Sequence, residues 1–171
     1  MPAAVLYLVA LATMIAESTL LSVLSIQAWA LQTPLIIGIY LALDRGFSEG
    51  GLVLAGLFMP IEWLVGGPFG LYSLGLAAVF VGLQAVGSNV QRVWGVARGV
   101  MAGIAGLGHA AVLLVVLYLM GQGDARLASS IGWQMWFGAL VVAVGSVAVG
   151  KAFARVDEMM DSHQRSTGLE H

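Results

Sequence analysis

The chain has no cysteine, and only 9% of its 171 residues carry a charge. Without thiols there is no disulfide framework and no thiolate metal site, so zinc ribbons and related metal-stapled folds are excluded. Three histidines remain, and none stands in a His-Glu-x-x-His pattern. The seven basic residues form no patch, and a net charge of −2 implies neither a nucleic acid nor an acidic substrate as partner. Gly-x-Ser-x-Gly and a glycine-rich phosphate loop are also missing. The nearest approach to a nucleophile pair is Ser146 with His109, and no acid, base and oxyanion set assembles around them. The reading is a protein without catalysis of its own, without cofactor and without metal.

What the chain does have is apolar length: 60% of its residues are hydrophobic. That excludes an ordinary soluble domain and makes lipid the solvent. Apolar runs of about 20 residues, enough for the ~30 Å hydrocarbon core, predict six transmembrane helices in an all-α fold. The first runs from about residue 4 to 26, and it is read as retained because no Lys or Arg precedes it as in a signal peptide. The second begins near Trp29, carries Pro34 and ends near Leu43. A charged loop over 44–49 follows, then a third helix over 50–65. Pro60 is expected to kink that helix or to free a carbonyl near Gly56, and a bent or re-entrant segment is one reading of it. The fourth runs over 71–90, the fifth over 94–120 and the sixth over 131–153. Residues 1–153 thus form one transmembrane domain, 154–168 a tail at the membrane surface, and 169–171 resemble the start of a histidine tag.

Charge sets the expected orientation. Six helices collect Arg45, Arg92, Arg98, Lys151, Arg155 and Arg165 on one side and leave Arg126 alone on the other. The positive-inside rule then makes both termini cytoplasmic and turns residues 66–70 outward. Trp29, Trp63, Trp133 and Trp136 near outer helix ends, with Trp94 near an inner one, agree with aromatic belts.

Within this apolar frame the polar side chains are the functional candidates. Glu17, Gln84 and His109 lie inside predicted helices. Glu62 lies one turn before the glycine-rich segment Gly66-Gly67-Pro68-Phe69-Gly70. A carboxylate there costs up to about 2.5–3.5 kcal/mol to insert, so it needs partners. Glu62 is expected to accept bonds from backbone N–H groups of that turn and, with Trp63, to present Phe69 outward. For Glu17 the plainer reading is local satisfaction by hydroxyls, indoles or water. Were the two carboxylates to approach each other, they would form a shared proton or cation site. Gly95, Gly99 and Gly103 repeat every fourth position and predict close approach of another helix of the same chain.

The segment Glu17-Ser18-Thr19-Leu20-Leu21, the proline-led run Pro34 to Leu43, the Gly46 to Gly51 loop, and the sequence from Gly56-Leu57 through Glu62 to Gly66-Gly67-Pro68-Phe69-Gly70 resemble the rod-shape-determining membrane protein MreD family. The resemblance covers roughly residues 5 to 80. Glu62 stands where that family more often has aspartate, and Glu17 where glutamine is common. Pro60 has no typical counterpart there. The resemblance implies a scaffold of the bacterial inner (cytoplasmic) membrane that serves cell elongation. It would bind the bitopic protein MreC and, through it, a peptidoglycan transpeptidase and glycosyltransferase. The family's layout is also similar to the S components of energy-coupling-factor transporters, and Ala12 and Ala16 supply the alanine spacing S components use for docking. The alternative is therefore an S-component-like subunit that binds a small vitamin-like molecule.

Overall fold

The computed structural model describes residues 3–23, 32–65, 69–87, 96–121, 136–152 and 155 of the chain. Among the described residues there are six helices and no strand: α1 (Ala3–Val23), α2 (Thr33–Asp44), α3 (Phe47–Val65), α4 (Leu71–Gly87), α5 (Val96–Leu119) and α6 (Trp136–Ala152). Three of them, α1, α3 and α5, are long and apolar enough to cross a membrane, and the chain is accordingly read as a membrane protein.

Around an apolar core, this molecule differs from a water-soluble bundle in how much apolar surface it exposes and in the polar groups it buries. Leu52, Trp63, Val96, Tyr118 and Leu119 are largely exposed, whereas Glu62, Arg98, His109 and Ser146 are buried. A helix surface of that kind is at equilibrium with hydrocarbon, and its polar groups turn inward to find partners.

The centre is α2. Every residue from Pro34 to Ala42 is buried, and α1, α3, α4 and α5 all pack against it. A helix that is apolar on all faces belongs in an interior. At 12 residues it is only about 18 Å long, shorter than the ~30 Å of a hydrocarbon core. Backbone groups freed at ends enclosed by other helices must be met by protein.

Side-chain contacts show neighbouring helices running in alternate directions. Glu17, late in α1, meets the start of α2, and Glu62, late in α3, meets the start of α4. At the opposite end Arg98, early in α5, meets Asp44, the last residue of α2, and Gln84 of α4 reaches the Arg45 carbonyl.

Three boundaries differ from the sequence reading. The second helix begins at Thr33, after Gln32, because proline in its first turn suits a helix start. The charged stretch 44–49 is not a loop: only Arg45 and Gly46 lie outside helices. Arg45, in extended backbone, ends α2, while Glu49 in the first turn of α3 favours that helix's start and pairs with Arg45 at 3.3 Å. Finally, α3 runs without interruption through Pro60 to Val65, so no break or re-entrant segment follows the proline. Residues 24–31, 66–68, 88–95, 122–135, 153–154 and 156–171 lie outside the described residues. The expectations for Trp29, Trp94, Trp133, Arg92, Arg126, Gly95, Gly66, Gly67, Pro68 and the tail fall there.

Small residues set the α5–α6 approach. A Cβ at Gly99 would stand 3.3 Å from the Ala143 carbonyl oxygen, and one at Gly106 3.3 Å from the Ala139 Cα. Gly103 faces the Cβ of Ala143. Gly99→Leu is expected to force these helices apart and to cost about 1–3 kcal/mol. Its melting temperature in detergent should fall while its oligomeric state stays that of the parent. A change from dimer to monomer would instead make this face a seam between chains.

Candidate functional site

The carboxylates of Glu17 and Glu62 perform one task at two places. Glu17 Oε1 accepts from the Gln32 N–H and Oε2 from the Thr33 N–H, each at 3.0 Å. Gln32 occupies the N-cap position of α2 yet supplies no side-chain cap of its own. Pro34 has no N–H to satisfy. The carboxylate on α1 therefore takes up the first free donors of the central helix, where its negative charge also faces the positive end of the helix dipole. The satisfaction comes from backbone N–H groups, where hydroxyls, indoles or water were the expectation.

Glu62 repeats the arrangement at α4. Its side chain, 5% exposed, accepts from the Ser73 N–H at 2.7 Å. Ser73 lies in the first turn of α4, so the donor sits beyond the glycine-rich turn rather than within it. The bond ties the last turn of α3 to the first turn of α4. Gly70 ends the connection at φ +89°, backbone that glycine adopts without a steric penalty. Its carbonyl takes the Leu74 N–H at 2.9 Å and opens the helix.

Next to this tie sit two more buried residues with polar groups, Tyr72 and His109. The Tyr72 ring meets the His109 ring edge-on, with centroids 4.7 Å apart. His109 packs so closely on α4 that a Cβ at Gly75 would stand 2.9 Å from its Cδ2. Glu62 Oε2, the Ser73 hydroxyl and His109 Nε2 are buried and have no hydrogen-bond partner among the described residues. The two acids thus occupy one polar region without sharing a contact: each serves its own helix start.

Outside the tie the surface is aromatic. Trp63 is 89% exposed and Phe69 76% exposed, and Met59, one turn before Trp63, is exposed as well. Glu62 and Trp63 are neighbours in sequence, so the helix sends one inward to α4 and the other outward. Ala12 and Ala16 are also exposed, on α1.

The remaining candidates separate. Gln84 donates to the Arg45 carbonyl at 3.0 Å and closes the far end of α4 onto α2. Ser146 donates to the Ala143 carbonyl of its own helix and His109 is engaged with α4, so the structure pairs each with other groups.

One feature of the far end was missed in the sequence. Arg98, buried, donates from Nη1 to Asp44 Oδ1 at 3.0 Å and from Nη2 to Asp44 Oδ2. Its guanidinium lies 5.9 Å from the Tyr40 ring centroid, and a Cβ at Gly150 would stand 2.9 Å from its Cζ. A cation thus sits at the C-terminal end of α2 as an anion sits at its N-terminal end, and both complement the dipole. The signal was present: an arginine at the start of an apolar run, where it comes to be buried, demands an anion.

Comparison with protein-family models, with curated proteins and with solved structures finds no match to this chain. The geometry and the sequence resemblance carry the functional reading between them.

Proposed function

We propose that this chain is a non-catalytic scaffold subunit of the bacterial inner membrane, similar to MreD, whose 66–70 turn recognises a bitopic partner of the MreC kind. In this reading six helices span the bilayer with both termini in the cytoplasm. The partner links the scaffold to a peptidoglycan transpeptidase and glycosyltransferase. The observation that supports it best is the Glu62 to Ser73 bond. A buried carboxylate ties the end of α3 to the start of α4 while Trp63 and Phe69 stay exposed beside it, which suits a surface held in shape for another protein. An interfacial tryptophan alone also serves as a bilayer anchor, but Phe69 lies beyond the helix end and is not needed for anchoring.

The test is capture from the native membrane in mild detergent, followed by mass spectrometry of bound proteins and bound small molecules. The parent chain should bring down a bitopic membrane protein. Trp63→Ser with Phe69→Ser should lose at least about tenfold of that capture, some 1.4 kcal/mol or more, without a change in folded yield. A bound small molecule with no bitopic partner would favour the S-component-like alternative, for which the supporting observation is that Glu62 Oε2, the Ser73 hydroxyl and His109 Nε2 are buried beside α4 without a hydrogen-bond partner among the described residues.

Orientation has its own test, and the absence of native cysteine makes it clean. Cysteine in place of Pro68 should react with an impermeant thiol reagent in intact spheroplasts, and cysteine in place of Arg155 should react only after lysis. The reverse pattern would invert the topology and put the 66–70 turn out of reach of a periplasmic partner.

A further inference from the structure

The α5–α6 pair leaves an open groove of about 830 Å³ along its outer side, running from Val96 to Leu107 on one helix and from Trp136 to Lys151 on the other. Its floor is the small-residue contact of Gly99 and Gly103 with Ala139 and Ala143. Its walls include Val100 and Ile104 on α5 and Leu140 and Val144 on α6, all apolar and reaching outward. A groove facing hydrocarbon is filled, because water is absent there and an unfilled channel forfeits dispersion contacts along its whole length. The groove's two ends differ in chemistry. Lys151 lines one end and Trp136 the other. Arg155, helical and exposed, follows Lys151 by four positions in the sequence, so a second cation lies close along the chain to the one that lines the groove. Among the described residues neither has an ion-pair partner.

We propose that this groove is a binding site for an anionic phospholipid, with the phosphate headgroup at Lys151 and Arg155 and an acyl chain laid along the glycine-alanine floor. Trp136 to Lys151 spans about 22 Å of helix. That exceeds the ~15 Å of one leaflet and falls short of the ~30 Å of the whole core. The extent therefore suits a chain entering from one interface rather than a helix crossing both. A smooth apolar floor with no polar side chain along it selects for a flexible hydrocarbon, and cations gathered at one end select for negative charge in the headgroup. Because anionic lipid is available to either leaflet, the site stands independently of the orientation and of the partner proposed above.

The experiment uses the full chain purified in detergent, titrated with phosphatidylglycerol or with phosphatidylcholine, and native mass spectrometry to count bound lipid. The parent chain should retain phosphatidylglycerol at least about fivefold better than phosphatidylcholine. Lys151→Gln with Arg155→Gln, both at exposed positions, should remove that preference and leave phosphatidylcholine retention unchanged. Ala148→Phe and, independently, Val144→Trp fill the groove from exposed lining positions and should lower retention of both lipids. Thermal melting of each variant identifies any that misfold, and one folded filling variant suffices for the comparison. Equal retention of the two lipids by the parent overturns the proposal, as does phosphatidylglycerol retention that survives both the charge removal and a folded filling variant. Loss of a copurifying membrane protein in a filling variant with unchanged lipid retention overturns it in favour of a helix-docking face.

Discussion

Arg98→Met is expected to lower the unfolding free energy by about 3–5 kcal/mol, the range for breaking a buried ion pair by removing one partner. The loss belongs towards the lower end of that range, because the Asp44 side chain is 23% exposed while that of Arg98 is 4% exposed. Methionine keeps the apolar stem and removes the two donors, so Asp44 is left as an uncompensated anion at the C-terminal end of α2, where the helix dipole also opposes it. Arg98→Lys should recover only part of the loss, since an ammonium cannot match both carboxylate oxygens in the planar, two-point geometry seen here. Asp44→Asn combined with Arg98→Met should be less damaging than the sum of the two single changes. Unfolding in detergent by heat or by a denaturing surfactant measures all four chains, and the coupling energy comes from the cycle. Single changes that each cost under about 1 kcal/mol would mean that the pair behaves as a solvated surface bridge. The central helix would then owe its placement to packing alone.

The interest of that pair lies in what it says about reading such a chain. Helix number and order followed from apolar length punctuated by Gly66 to Gly70 and the charged stretch at 44–49. The individual polar residues Glu17, Glu62, Gln84 and His109 stood out against an apolar background. What stayed hidden was which helix is central. In water, the buried side of a helix is marked by an apolar stripe, but in lipid both sides are apolar, and α2 looks no different in composition from its neighbours. Only its shortness hinted at its place, and with that place unknown there was no reason to pair Glu17 with the start of α2 or Arg98 with its end. Pro60 was expected to kink α3 or to free a carbonyl near Gly56; the helix continues through it to Val65, with Leu57, Ile61 and Val65 buried along one face. Packing on that face outweighs a single missing hydrogen bond. The Glu62 donor was misplaced by one structural step: the free N–H groups at a helix start are fixed and directional, which makes the first turn of α4 the more regular partner.

Glu62 is where stability and recognition separate in a single side chain. Glu62→Leu removes the acceptor and leaves the Ser73 N–H buried without a partner, at a cost of about 1–3 kcal/mol. It also releases the tie that spans residues 66–70. Glu62→Gln keeps a carbonyl oxygen of the same reach, so the Ser73 bond can persist without its charge assistance, at roughly half its strength. If the carboxylate holds the turn in shape for a partner, capture of the bitopic protein should be partly retained by the Gln variant and lost about tenfold or more by the Leu variant. The folded yield of both is measured alongside. A role in which Glu62 takes up a proton or a cation requires the ionisable group itself, and there Gln and Leu should fail equally. Both variants assembling like the parent would reduce Glu62 to a helix cap, of the same kind as Glu17. In that event the exposed Trp63 and Phe69 would owe nothing to the carboxylate behind them, and the recognition surface would have to lie elsewhere on the molecule.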